Sequence, residues 1–176
     1  MARLDPQALV SHLDRLYRVA WALCGSREEA EDLVQETAAR VLAKPRQLYG
    51  QDELAYLVRA LRNTFLLARR TRARRPHEVA TLERVEPPEW RGAGLPEAAL
   101  EARQLFEAIA VLPDDFRQAL VAVDVAGLSY REAAELLDTR EATIASRLFR
   151  ARERVVQTLA PHTGPREANA PARSLR

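Results

Sequence analysis

The sequence predicts an all-α protein: two small helical domains joined by a flexible linker, the second containing a helix-turn-helix. Three observations carry that expectation. Apolar residues recur at steps of three and four along most of the chain. Glycine is scarce, 6 in 176 residues, and β-branched residues never alternate with polar ones over a strand length. Between the two patterned blocks lies the stretch 76–97, which holds four of the ten prolines and two of the six glycines and reads as a linker.

Taken in order, Leu9, Leu13, Leu16, Tyr17, Ala20 and Leu23 mark one face of a first helix from Pro6 to Leu23. Gly25 breaks it, and Ser26 with Glu29 three residues on forms a capping-box pattern for a second helix, Arg27 to Ala43. Its inward residues are Ala30, Leu33, Val34, Thr37, Val41 and Leu42, and Lys44-Pro45 ends it. A loop, Gln47 to Asp52, leads to a third helix from Glu53 to Arg74, with Leu54, Leu57, Val58, Leu61, Phe65 and Ala68 inward. These make a first domain over 1–75. A second helical unit spans 98–160, and the proline-, alanine- and arginine-rich tail 161–176 reads as disordered.

Within the second unit, Leu112-Pro113-Asp114-Asp115 ends one helix and starts the next, whose apolar residues are Phe116, Leu120, Val121, Val123 and Val125. Gly127 terminates it. Ser129 and Glu132 form a second capping box, opening a short helix through Leu137. Asp138 stands where a tight turn requires positive φ, and Thr139 is placed to cap a longer helix from Arg140 to about Leu159. Ala133, Ala134, Leu137, Ile144 and Leu148 allow the two helices to cross closely. A short helix, a tight turn and a longer helix have the spacing of a DNA-reading unit whose second helix enters the major groove. Its outward residues are Arg140, Glu141, Thr143, Ser146, Arg147 and Arg150. Arginine at the helix start suits guanine and phosphate, glutamate suits cytosine. Paired helices of this kind also occur in proteins that never touch DNA, so the motif alone leaves both readings open.

Charge narrows the choice. The net charge of +2 says little, but the distribution is uneven. Arg27 to Glu36 carries Glu28, Glu29, Glu31, Asp32 and Glu36 against one arginine. From Leu54 to His77 there is no acidic residue, and Arg59, Arg62, Arg69, Arg70, Arg72, Arg74 and Arg75 are all positive. A like-charged block on a helix opposes its own folding and suits a partner of opposite sign. Other classes fall away. No apolar run approaches the ~20 residues of a membrane span, and Met1 to Val10 lacks a signal core. One cysteine, Cys24, forms no internal disulfide, and it makes no metal site with the isolated His12, His77 and His162. That pattern fits a cytoplasmic protein. No nucleophile, acid–base pair or phosphate loop points to an enzyme, and no cofactor is indicated. Cys24 reads as a packed small residue, and Tyr17, Trp21, Phe65, Phe106 and Phe116 read as core. Trp90 has no assigned role.

These segments resemble the extracytoplasmic-function (ECF) class of bacterial RNA polymerase sigma factors. LYRVAWALCGSREEAEDLVQETAARVLAKP with ELAYLVRALRNTFLLARRTRARR looks like sigma region 2, and LPDDFRQALVAVDVAGLSYREAAELLDTREATIASRLFRARERV like region 4. The resemblance implies that the acidic second helix docks on core polymerase through Asp32, Gln35 and Glu36, with Glu28, Glu29 and Glu31 adding charge. It implies that the following loop and third helix open the −10 element, through Tyr49, Gln51 and Asp52 and then Tyr56, Arg59, Arg62 and Asn63. The helix-turn-helix would read the −35 element. An anti-sigma partner that occludes these faces is a further implication. Three departures stand out. Tyr56 takes the place of a usual tryptophan, LYGQDEL replaces the common loop pattern, and Ala142-Thr143-Ile144-Ala145 lacks the usual lysine. The competing readings are a stand-alone helix-turn-helix regulator and an adaptor that binds only protein. The pairing of an acidic with a basic helix favours the sigma reading, since a duplex binder has no use for a strand-opening face.

Overall fold

The computed structural model describes residues 2–3, 6–43, 47–48, 53–73 and 96–160. Arg74, Arg75, residues 76–95 of the expected linker 76–97 with Trp90, the loop residues Tyr49, Gln51 and Asp52, and the tail 161–176 lie outside them. The last two linker positions already belong to a helix that starts at Pro96. Three helices form the first half: α1 (Pro6–Cys24), α2 (Arg27–Ala43) and α3 (Glu53–Ala73). The second half holds α4 (Pro96–Ala110), α5 (Asp114–Leu120) continued by one wide turn over Val121–Val125, α6 (Tyr130–Leu137) and α7 (Glu141–Leu159). Two two-residue strands, β1 (Ala2–Arg3) and β2 (Gln47–Leu48), pair antiparallel with Ala2 opposite Leu48. They are too short to leave an alternation in the sequence.

The turns are where single residues decide the fold. Gly25 has φ +76°, and a Cβ there would lie 2.8 Å from the Cβ of Ala110, so the position excludes a side chain twice over. Ser26 Oγ accepts from the Glu29 backbone N–H at 3.4 Å, the first half of the expected capping box. The Glu29 carboxylate instead takes Arg72 of α3 at 2.7 Å, because a full charge outbids a backbone amide. At Ser129 the box is complete in both directions. Asp138 adopts φ +49°, ψ +54°, the left-handed turn expected of it. Thr139 does not cap the last helix: its N–H closes α6 on the Ala134 carbonyl, and Arg140 occupies the cap position without a side-chain bond.

The core follows the apolar steps with a few departures. Leu16, Leu57, Leu61, Ile144 and Leu148 are the largest apolar residues almost wholly buried. Thr37 is buried too, its hydroxyl donating to the Leu33 carbonyl at 2.7 Å. Leu13, Leu42 and Ala68, expected inward, are exposed near the edges of their helix faces. In α6, Leu136 is buried while Leu137 is half-buried. The wide turn, with the Ala126 N–H reaching back to Val121, adds a residue that no sequence periodicity shows. It buries Val121 and Ala122 side by side in the region where this segment meets α1.

The two halves also pack on each other. Trp21 of α1 stacks on Phe106 of α4, centroids 4.6 Å apart and planes 18° from parallel. The end of α4 closes on Gly25, and α3 meets α5 through Arg62 Nε to Gln118 Oε1 (2.7 Å) and Arg69 Nη1 to Asp114 Oδ2 (2.6 Å). Trp21 and Phe106 are therefore core of the junction between the domains, where the sequence reading had placed each in its own domain.

Candidate polymerase and nucleic-acid interfaces

Helix α2 presents its acidic residues outward because its apolar ones, Ala30, Leu33, Thr37 and Val41, all turn inward. Glu28, Asp32, Gln35 and Glu36 are exposed and Glu31 is half-exposed. Two of the carboxylates are held by arginines one turn away on the same helix, Glu31 by Arg27 at 2.7 Å and Glu36 by Arg40 at 2.6 Å. Such exposed pairs contribute ~0.3–0.5 kcal/mol each and are readily exchanged for a partner's cation. No ion pair of Asp32 or Glu28 is found among the described residues, so these two are the uncommitted charges of the ridge.

Beside that ridge lies a groove of about 560 Å³. Leu33, Phe65 and Ala68 contribute apolar lining; Glu29, Asp32 and Glu36 bring acid from α2, and Arg69, Arg72 and Arg117 bring base from α3 and α5. Cys24 also lines it. Burial pushes the thiol up to about 12, with Glu29 adding to the effect, which leaves it protonated and inert at neutral pH.

Helix α3 brings together Tyr56, Arg59, Arg62 and Asn63. Tyr56 and Arg59 are half-exposed and Asn63 is exposed. Arg62 is engaged elsewhere: it reaches across to Gln118, and burial lowers the pKa of its guanidinium. Sequence reasoning treated the arginines of α3 as one outward set, because it had no means of seeing α5 against them. The loop residues of that set are outside the described region.

In the second half, α6 and α7 cross through Ala133, Ala134, Ile144, Leu148 and Ala151, all buried. Arg140, Glu141, Ser146 and Arg150 are exposed at the start of α7 and Thr143 is half-buried. Arg147 is committed inside the domain, bonding Asp115 of α5 at 2.6 Å, and Arg152 makes a two-bond fork with Asp124. Arg154 lies over the Phe116 ring at 5.0 Å. These three contacts were not anticipated. They strap α7 to α5 and to the wide turn that continues it, and so fix which residues of α7 stay outward and unpaired.

Comparison with known proteins agrees with both halves. Residues 9–75 match the family model for sigma-70 region 2, and residues 102–155 match that for sigma-70, region 4. The ECF RNA polymerase sigma factor EcfG of Rhodopseudomonas palustris is 33% identical over 148 residues, covering 84% of this chain and 80% of the relative. The chain belongs to the ECF RNA polymerase sigma factors.

SigE of Mycolicibacterium smegmatis, another ECF sigma factor, is 33% identical over 154 residues; the alignment covers 86% of this sigma factor and 60% of the relative's length. Among solved structures, the sigma factor RpoE in complex with the anti-sigma factor NepR from Bartonella quintana matches with a TM-score of 0.72 and 30% identity. That match covers 87% of this chain and 94% of the other. CnrH, solved with the cytosolic domain of CnrY, shares the fold at a TM-score of 0.59 and 22% identity. Region 2 precedes region 4 in the chain, and the helix-turn-helix of this sigma factor falls within region 4. Among the described residues no helix is long and apolar enough to cross a membrane, and no cluster of ligating side chains could hold a metal.

Proposed function

We propose that this sigma factor docks on core RNA polymerase through the acidic ridge of α2 and directs promoter-specific initiation. Asp32, Gln35 and Glu36 make the contact, Glu28 and Glu31 add long-range attraction, and α3 with the loop before it opens the −10 element. Opening needs a basic surface for the released strand and a site for an unstacked base, since unstacking costs a few kcal/mol that phosphate and stacking contacts offset. Tyr49, Gln51, Asp52, Tyr56, Arg59, Arg62 and Asn63 supply that surface. The start of α7 reads the −35 duplex, with Arg140 and Glu141 best placed for base edges and Arg150 for phosphate. The polymerase does the chemistry; the sigma factor itself catalyses nothing and works in the cytoplasm. A protein anti-sigma factor restrains it, as the complex of its relative RpoE with NepR suggests.

The observation that carries this reading is the exposed, uncommitted Asp32 on an acidic ridge within the region 2 half. The test is Asp32→Ala/Gln35→Ala, assayed by retention on sigma-free core polymerase and by run-off transcription. The variant keeps its helical circular-dichroism spectrum and loses polymerase binding. Normal retention by a folded variant would remove the docking assignment.

A further inference from the structure

Spacing alone groups Arg147 with the DNA-reading residues of α7: it stands seven residues after Arg140 and three before Arg150, hence on the same side of the helix. Its surroundings say otherwise. Arg147 is half-buried, and its Nη2 donates to Asp115 Oδ2 at 2.6 Å. Arg140 and Arg150 are exposed, and no ion pair of either is found among the described residues. Five residues beyond Arg147, Arg152 grips Asp124 through two bonds, Nε to Oδ2 at 2.9 Å and Nη2 to Oδ1 at 2.7 Å. The wide turn brings that second acid into reach. At about 100° per residue, an unbroken α-helix would put Asp115 and Asp124, nine residues apart, on opposite sides. The turn over Val121–Val125, closed by the Ala126 N–H on the Val121 carbonyl at 2.8 Å, adds a residue to that count. It swings Asp124 about a quarter turn, toward α7.

We propose that Arg147 is a positioning residue of the −35 site and not a DNA contact: with Arg152 it holds α7 at the tilt that presents Arg140, Glu141 and Arg150 to the duplex, and Asp115 and Asp124 are its anchors. The inference rests on the reading of α7 as the −35 helix, and it adds two acidic residues to that site which no spacing argument selects. The geometry supports it in three ways. The bond at Arg147 lies between the readers, so a rotation of α7 there displaces Arg140 and Arg150 together. The fork at Arg152 fixes a planar guanidinium by two bonds, which resists rotation as a single bond does not. The anchors stand at the two ends of one continuous segment, Asp115 in the first turn of α5 and Asp124 in the wide turn, so α7 is held at two points and cannot pivot about one. Base-edge bonds demand such support, because a recognition group must stay within about 0.5 Å of its productive place, whereas attraction to phosphate survives a larger shift and carries no sequence information. Loosening the anchors therefore costs base discrimination before it costs charge attraction.

The test uses holoenzyme rebuilt from core polymerase and the full chain, on a promoter that the parent holoenzyme selects from genomic fragments. Asp115→Asn decides between the two roles because they differ in sign. If Asp115 only withholds Arg147 from a phosphate, freeing the arginine tightens promoter binding. Positioning predicts binding weaker by about fivefold, the upper end for one exposed ion pair, with flatter discrimination among base substitutions in the −35 element. Asp124→Asn should act in the same direction from the other anchor, and Asp115→Glu, which keeps the charge, should retain most of the discrimination. Both aspartates are exposed, and far-ultraviolet circular dichroism checks that each variant is folded. Arg147→Gln should leave the slope of log affinity against log salt unchanged, whereas loss of a phosphate contact lowers it by about 1. Tighter binding by Asp115→Asn, or a reduced salt slope in Arg147→Gln, would overturn the positioning role. Arg140→Ala tests the reading beneath it. Discrimination lost there but kept in Asp115→Asn overturns the anchoring alone, while discrimination untouched by Arg140→Ala removes the −35 assignment of α7 and the anchoring with it.

Discussion

Replacing Gly25 with alanine separates two costs that meet at one atom. At φ +76° an L-residue loses about 1–2 kcal/mol relative to glycine. The new Cβ would also stand 2.8 Å from the Cβ of Ala110, a distance that real contacts do not reach. Overpacking of that kind costs ~1–3 kcal/mol, or it is relieved by moving α4 away from α1. The single variant is therefore expected to lose about 2–5 kcal/mol in urea unfolding followed by far-ultraviolet circular dichroism. Ala110→Gly removes the opposing methyl at the last residue of α4 and costs up to about 1 kcal/mol in helix propensity. In the double variant the steric part disappears and only the φ and propensity costs remain. The coupling between the two sites is then about 1–3 kcal/mol. A coupling below ~0.5 kcal/mol, the size of ordinary additivity error, would refute contact between Gly25 and the end of α4.

Other outcomes follow from the same geometry. Ser129→Ala removes the completed capping box of α6 and should cost about 1 kcal/mol; an unchanged urea midpoint would contradict it. The Glu132 carboxyl is held below its usual range by its bonds to Ser129. That contribution is present above the unfolded-state value of about 4.3 and is lost as pH falls through the lower folded value, so Glu132→Gln should be less stable than the parent at neutral pH and the gap should close in the acid limb; a gap that stayed constant into acid would contradict it. Asp114 is likewise held down, chiefly by Arg69 with Arg117 also contributing, so the bond from α3 to α5 should persist at neutral pH and fail only well into acid. A spin-label distance that opened between pH 8 and 6 would contradict this. Cys24, its thiol pushed up to about 12, should react with a disulfide reagent at pH 8 far more slowly in the native chain than in urea; equal rates would show that the thiol is not shielded.

Much of this fold was legible because its boundaries depend on residues with few conformational alternatives. Gly25, Ser26, Pro113, Gly127, Ser129 and Asp138 each fix a turn or a helix start through φ or a local hydrogen bond, and such effects need no knowledge of distant chain. The helix bounds accordingly fall within a residue or two of expectation. Part of the outward face of α7 was legible for the same reason, since Ile144, Leu148 and Ala151 define the opposite face; Arg140, Glu141, Ser146 and Arg150 are exposed, while Thr143 and Arg147 are half-buried. What the sequence could not show is how distant elements meet. Nothing in a helical pattern says that Arg147 finds Asp115, that Arg72 draws Glu29 from its capping role, or that Arg62 crosses to Gln118. Exposed arginine has the same signature in all these cases.

That ambiguity bears on how the basic block of α3 should be understood. A helix with many like charges is opposed by its own repulsion unless the charges are paired or dispersed. Here Arg72 is neutralised by Glu29 of α2, Arg69 by Asp114 of α5, and Arg62 is satisfied by a neutral amide. Arg59 and Arg70 have no ion pair among the described residues. The partners fall into two classes. Glu29 belongs to the same half as α3, so that bond holds region 2 together whatever the second half does. Asp114 and Gln118 belong to the other half, and their bonds are lost whenever the halves part. Parting them would therefore leave two more arginines unpaired along one face of α3 and remove the one carboxylate, Asp114, that offsets charge from the second half. The same arginines thus join the two halves where partners are at hand and, unpaired, would oppose the helix that carries them.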